Sequence, residues 1–241
     1  MKVAYDFHIH SGLSPCSEDD MTPNNVVNMA ILKGLDAIAI TDHNSTLNVE
    51  AFTKVASDKK LIIIPGIEVS TKEEVHLIGL FRSLDEAKVF QGIIDQALPK
   101  TKNNAKVFGN QLLYNEKDEV IGEYDRLLFN AISLTVEDVV DEVNRLKGIV
   151  IPAHIDRNSF SILSNLGFIS PALGLTTVEI TSGCDINSIE AKHKYLNKYR
   201  KIANSDAHNL EAILERQSFL DVKELSCEEI INVLRNKNFV T

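Results

Sequence analysis

Six of the seven histidines in this 241-residue sequence sit at the ends of short β-rich runs, with two acids, Glu68 and Asp206, in equivalent positions. In VAYDFHIH the pair His8 and His10 is two residues apart. On an extended strand that spacing turns both imidazoles to one face and Phe7 and Ile9 to the other. Two neutral imidazoles converging from one strand suit a divalent cation. Later runs end in Thr41-Asp42-His43, in Gly66-Ile67-Glu68, at His154 and in Ser205-Asp206-Ala207-His208, and one begins with His76. Each has an ordinary reading alone: a hydrogen-bonded core histidine, a solvated acid at Glu68, a turn at Asp42. On the rim of one α/β barrel, however, they would meet, and six histidines with two acids are more ligands than one ion uses. A cluster of two or three divalent metal ions is therefore expected. His193, inside AKHKYLNKYR, falls outside the pattern and reads as a solvated surface residue.

The elements that must position these residues are legible as an alternation. Strand-like runs at 3–10, 36–43, 61–70, 75–81, 148–154, 177–181 and 201–208 are separated by helical patterns, which predicts parallel strands with helical crossovers. Thr22-Pro23 opens a helix that Gly34 stops, Thr135 with Asp138 opens another that ends near Gly148, and a last one starts near Ser226. Residues 85–134 break the rhythm with a helix (Asp85 to Leu98), a polar stretch and the run QLLYNEKDEVIG, whose charged centre predicts a hairpin. This insertion is either a surface elaboration or a cap over the rim. The expected organisation is one domain over residues 1–241.

Composition bounds the function. With 44% apolar and 24% charged residues, the chain has an ordinary globular balance. A net charge of -9 offers no general attraction to a polyanion or an anionic membrane, so a long nucleic acid is disfavoured as a partner while a short oligonucleotide stays open. There is no signal-peptide pattern and no apolar run of bilayer length, and the expectation is a cytoplasmic protein with no membrane partner. Cys16, Cys184 and Cys227 are odd in number and far apart, which argues against a disulfide framework. Trp is absent and the other aromatics are thinly spread, so no aromatic platform for single strands is visible. Oligomeric state is not legible.

The segments HIHSGLSPCS (8–17), ITDHN (40–44), PGIEVS (65–70), VHLIGL (75–80), IPAHIDR (151–157) and NSDAH (204–208), in this order, resemble the polymerase-and-histidinol-phosphatase (PHP) superfamily of metal-dependent phosphoesterases. The resemblance spans about residues 3 to 208. It implies a distorted (β/α)7 barrel and a trinuclear site for zinc, manganese or iron. Carried over, His8, His10, Glu68 and Asp206 would hold one metal, Glu68 would bridge to a second held by His76 and His154, and His43 and His208 would hold a third. The remaining ligand of that third site falls on Cys16, where many relatives have His or Asp. A thiolate of depressed pKa there would favour a soft ion such as zinc or ferrous iron; a bystander Cys16 would leave two metals.

Phosphate ester hydrolysis needs a nucleophile near neutral pH and neutralisation of charge on the phosphate and the leaving oxygen. A metal cluster supplies both, with hydroxide from metal-bound water attacking in line. On this reading Glu68, Asp42 and His208 are the catalytic residues. Asp42 would fix an imidazole tautomer, or else cap the helix starting near Thr46. Arg157 would bind phosphate oxygens, or else be an ordinary surface arginine. The expected substrate is a small phosphomonoester, a nucleotide or a histidinol-phosphate-like amine. The alternatives are a phosphodiesterase or exonuclease on short nucleic acids, and a non-catalytic metal-binding module.

Overall fold

The computed structural model describes residues 1–237; the last four residues of the expected domain lie outside the described residues. The chain opens with β1 (Lys2–Ile9), α1 (Pro23–Leu32), β2 (Ala37–Ile40), α2 (Val49–Ala56), β3 (Ile62–Ser70) and β4 (His76–Leu80). The insertion follows as α3 (Leu84–Ala97), the single turn α4 (Ala105–Phe108) and the hairpin β5 (Leu112–Tyr114) with β6 (Val120–Glu123). Then come α5 (Val136–Arg145), β7 (Ile149–Pro152), α6 (Ile162–Leu166), β8 (Thr177–Thr181), α7 (Ile186–Lys192), β9 (Arg200–Asn204), β10 (Phe219–Asp221) and α8 (Cys227–Arg235).

Local chemistry accounts for the ends. Thr135 accepts from the Asp138 amide while the Asp138 carboxylate accepts from the Thr135 amide, a reciprocal cap on α5. Ser226 caps α8 through the Glu229 amide. Pro23 starts α1, but Thr22 makes no side-chain cap bond there. Asn48, not Asp42, is the N-cap residue of α2, which removes the helix-capping reading of Asp42.

The strands form a six-stranded sheet, β10-β1-β2-β3-β4-β7, and a parallel pair, β8-β9. β1, β2 and β3 are parallel, whereas β4 runs antiparallel to both β3 and β7. That corrects the expected run of parallel strands. Only 71–75 separate β3 from β4, far short of the dozen or so residues a crossover needs, so the chain must turn back as a hairpin. β10, an antiparallel strand beside β1, has no counterpart in the sequence reading. The parallel pair is tied to the large sheet outside the named strands: the Ile155 amide donates to the Glu179 carbonyl at 2.9 Å, and the His10 amide to the Ala207 carbonyl at 2.9 Å. The architecture is thus an α/β fold with a curled sheet, its ladder interrupted beside β8 and β9.

Side chains sort cleanly onto two faces. Val3, Tyr5, Phe7, Ala37, Ala39, Ile64, Ile78, Ile149, Ile151 and Ile202 line the inner face, plugged by Ile230, Ile231 and Leu234 of α8. On the outer face, Ile38, Ile40 and Ile63 pack under α1 and α2, and Ile67, Val69 and Leu77 under α3 and α5. Strict alternation that places Phe7 inside would place His8 outside. A register shift between Asp6 and Ile9 breaks the alternation: Phe7 joins the inner cluster, Ile9 the outer one, and His8 and His10 both turn inward. Phe7 and Ile9 therefore do not share a face as their spacing predicts. Among the described residues no helix is long and apolar enough to cross a membrane.

Candidate metal centre

Glu68 occupies the middle of the inner rim. Its Oε1 lies 3.0 Å from His76 Nδ1, 3.3 Å from His154 Nε2 and 3.3 Å from His8 Nε2, and its Oε2 lies 2.9 Å from His43 Nδ1. Asp206 Oδ1 is 3.2 Å from His8 Nε2 and 3.1 Å from His10 Nε2. Three groups of side chains converge closely enough to share an ion: His8, His10, Glu68 and Asp206; His43, Glu68 and His76; and His10, His43 and His208. All six rim histidines and both acids are thus brought together from β1, β3, β4 and the segments after β2, β7 and β9. His154 adjoins through Glu68 and is not in a close group itself.

Each imidazole is oriented from behind. His8 donates from Nδ1 to both oxygens of Glu179 on β8, at 2.9 and 3.1 Å, leaving Nε2 toward Glu68 and Asp206. Glu179 is buried and also accepts from the His154 amide at 2.7 Å and from Asn204 Nδ2 at 2.8 Å. His10 Nδ1 bonds Ser14 Oγ at 2.8 Å, and that hydroxyl donates to Asp42 Oδ1 at 2.7 Å. His208 Nδ1 donates to its neighbour's backbone, the Asp206 carbonyl, at 2.8 Å. Asp42 itself accepts from the Ser11 amide and hydroxyl at 2.7 and 2.6 Å. It therefore acts on an imidazole through Ser14, one bond further back than a directly contacting acceptor.

The electrostatics call for positive charge. Burial would raise the pKa of Glu68, but His76, His8 and His43 hold it well below the carboxylate range; His8 and His10 do the same for Asp206. His8 is buried yet its pKa is raised, because Glu179, Asp206 and Glu68 surround it with negative charge. Burial lowers His10 and His208, keeping them neutral donors of a lone pair. Oε2 of Glu68 and Nδ1 of His154 are buried and make no hydrogen bond. Ligand atoms about 2.0–2.2 Å from a common ion lie roughly 3.0–3.5 Å from one another, which is the spacing seen here. The donor set fits divalent transition metals. Backbone strain marks the same place: His154 and Asp206 have φ of 28° and 54°.

The structure places Cys16 and Arg157 differently. Cys16 is exposed and belongs to none of the three convergent groups. Desolvation first, then the carboxylates of Glu68, Asp206 and Asp42, push its thiol pKa up, and these are the carboxylates whose charge a bound cation would offset. Arg157 does reach the centre, its Nη1 2.6 Å from Asp206 Oδ2, and it lines the open pocket over the cluster with Ser159 and Phe160. The structure also gathers aromatics that the sequence scatters. Phe160 stacks on His76 at 4.9 Å between ring centres, and Phe129 of the insertion lies 5.2 Å from His43; both rings are partly exposed. Glu179 was missed, although a lone acid between Val178 and Ile180 in an apolar strand is its signal. His193 stands apart from the centre, as expected.

A curled α/β sheet whose inner rim gathers histidines and acids at metal-ligand spacing defines an α/β protein able to hold divalent ions. The PHP domain family model matches residues 6–155, and the chain belongs to that family. The 5'-3' exoribonuclease Rnm of Salmonella typhimurium is 35% identical over 83 residues, covering 32% of this chain and 27% of that protein. A 5'-3' exoribonuclease of Haemophilus influenzae is 29% identical over 83 residues, covering 33% and 29%. The match thus spans under a third of the length of these curated relatives. Among solved structures, the lesion-specific endonuclease Q of Pyrococcus furiosus superposes with a TM-score of 0.71 over 98% of this chain and 56% of its own, at 20% identity. At that identity the likeness speaks for the fold.

Proposed function

We propose that this protein hydrolyses phosphodiester bonds in short single-stranded nucleic acids. The observation that carries the reading is the pairing of a convergent His/Glu/Asp centre with two exposed phenylalanine rings at its mouth, Phe129 and Phe160, on which unpaired bases can stack. The exoribonuclease names of the relatives and the endonuclease name of the structural neighbour support the same direction. They favour a diester substrate over the small phosphomonoester expected first.

On this proposal His8, His10, Glu68 and Asp206 would hold one divalent ion, Glu68 with His76 and His154 a second, and His43 with His208 would supply imidazoles to a third. Such ions, when bound, neutralise the phosphate oxygens and make a water acidic enough to attack near neutral pH. The chain's own residues do the rest. Glu179, Ser14 with Asp42, and the Asp206 carbonyl fix the imidazole tautomers. Arg157 anchors to Asp206 through one nitrogen and offers its remaining donors to the substrate phosphate. Phe129 and Phe160 screen the rim and orient the base.

The test is to supply zinc, manganese or ferrous iron to chelator-treated protein and follow 5'-phosphorylated oligonucleotides of a few residues alongside mononucleotides. Metal-dependent chain shortening is the expected result. Release of inorganic phosphate from mononucleotides with no shortening would replace this reading with the monoesterase one.

A further inference from the structure

A second groove opens on the far side of Arg157, between the segment after β7, α6 and α7, and the centre described above makes no use of it. Asp156, Arg157, Asn158 and Ser164 form one wall, and Lys192 and His193 the other. Arg157 also lines the pocket over the cluster, so this residue is common to both. Charge singles this groove out. Residues 192–201 carry Lys192, Lys194, Lys198, Arg200 and Lys201 with no acid among them, in a chain of net charge -9, and of these Lys192 lines the groove itself. Lys192, Lys194 and Lys198 are exposed, while Lys201 is paired with Glu190. Asp156, the acid of the groove, is already engaged: Oδ1 accepts from the Thr181 amide at 2.9 Å and Oδ2 from the Thr181 hydroxyl.

We infer that this groove receives the backbone phosphate next to the scissile one, so that the substrate is a strand longer than one nucleotide which crosses Arg157 and runs along α7. The inference rests on the phosphodiesterase reading and deepens it. A mononucleotide would fill only the pocket over the cluster, and the basic wall at Lys192 and His193 would then face solvent with nothing to bind. A strand gives both walls a partner, and it explains how an acidic protein holds a polyanion: the attraction is confined to one stripe, within about a Debye length of 8–10 Å, instead of spread over the surface. His193, which reads from sequence as a bystander, becomes part of that stripe.

The metal-loaded protein can be tested with two substrates and one binding probe. Bis(p-nitrophenyl) phosphate has no neighbouring phosphate; hexathymidylate has five internucleotide phosphates, four of them beside whichever one is cut; a fluorescent phosphorothioate hexathymidylate reports affinity by anisotropy without turnover. Lys192→Glu is expected to lower the ratio of kcat/KM for the hexamer to that for the aryl diester by roughly tenfold and to weaken probe binding by a similar factor, while Lys192→Arg restores both. Log affinity of the Lys192→Glu protein should also fall less steeply with log salt. Unchanged ratio and unchanged probe affinity in Lys192→Glu would overturn the inference. If the wild type instead hydrolyses neither diester, the phosphodiesterase reading fails, and the anisotropy comparison still decides whether the groove binds a strand.

Discussion

Glu179 grips His8 with both oxygens and the His154 amide with one of them, so a single carboxylate orients two of the cluster histidines. Glu179→Gln keeps the shape but loses the charge that holds the His8 proton on Nδ1. Metal affinity measured by competition with a chelator should fall about 10–100-fold, with the circular dichroism spectrum retained. Cys16 calls for the opposite outcome. Its exposed thiol lies outside the convergent groups, so Cys16→Ser should leave the metal content per chain, read by elemental analysis, unchanged. A lost equivalent would restore Cys16 as a ligand. The histidines were legible because residue type and strand-end position coincide. Glu179 was not, because a lone acid in a strand has no distinctive spacing and its partner His8 is 171 positions away.

At the scale of elements, the insertion is fastened to the rim instead of floating above it. Asn48 Nδ2 donates to the Leu112 carbonyl and Asn48 Oδ1 accepts from the Tyr114 amide, while Asn44 Nδ2 reaches the Leu128 and Asn130 carbonyls. Phe129 comes to His43 as a result. At the same seam Gly109 has φ of 101°, and a Cβ there would stand 1.9 Å from the Pro15 carbonyl oxygen. Gly109→Ala should therefore destabilise the seam by roughly 1–3 kcal/mol, read as a lower urea midpoint, and raise KM through a displaced Phe129. A wild-type midpoint in that variant would show that the insertion yields freely. The helices α1, α3, α5 and α8 and the hairpin could be placed from the sequence, whereas α2, α4, α6 and α7 were not delimited there. The antiparallel turn of β4 follows from a connection too short for a crossover, and it was hidden by the expectation of uniform βα alternation.

For the whole molecule, the candidate ligands span positions 8 to 208 and meet only once the sheet has curled, so metal binding would be linked to folding. Metal at about 100 times its dissociation constant should stabilise the fold by about 2.7 kcal/mol, seen as a rise in Tm that a chelator reverses. The opposite end of the curl is closed by α8, whose Ile231 is fully buried against the inner strands. Ile231→Ala should cost about 2–5 kcal/mol by the lost transfer term and the residual cavity, and it should lower Tm with the cluster's chemistry intact in whatever protein remains folded.

The sequence by itself determined which residues converge on the rim, because histidine and acid types recur at strand ends. It also determined the ends of α1, α3 and α5 and the start of α8, since caps act within one turn. What only the tertiary structure decided is how those residues combine: the register shift that turns His8 inward beside Phe7, the reversal of β4, the gathering of Phe129 and Phe160, the position of Cys16 outside the convergent groups and the recruitment of Glu179. Each depends on contacts between segments far apart in the chain, whose energies come from packing and electrostatics that no local pattern encodes.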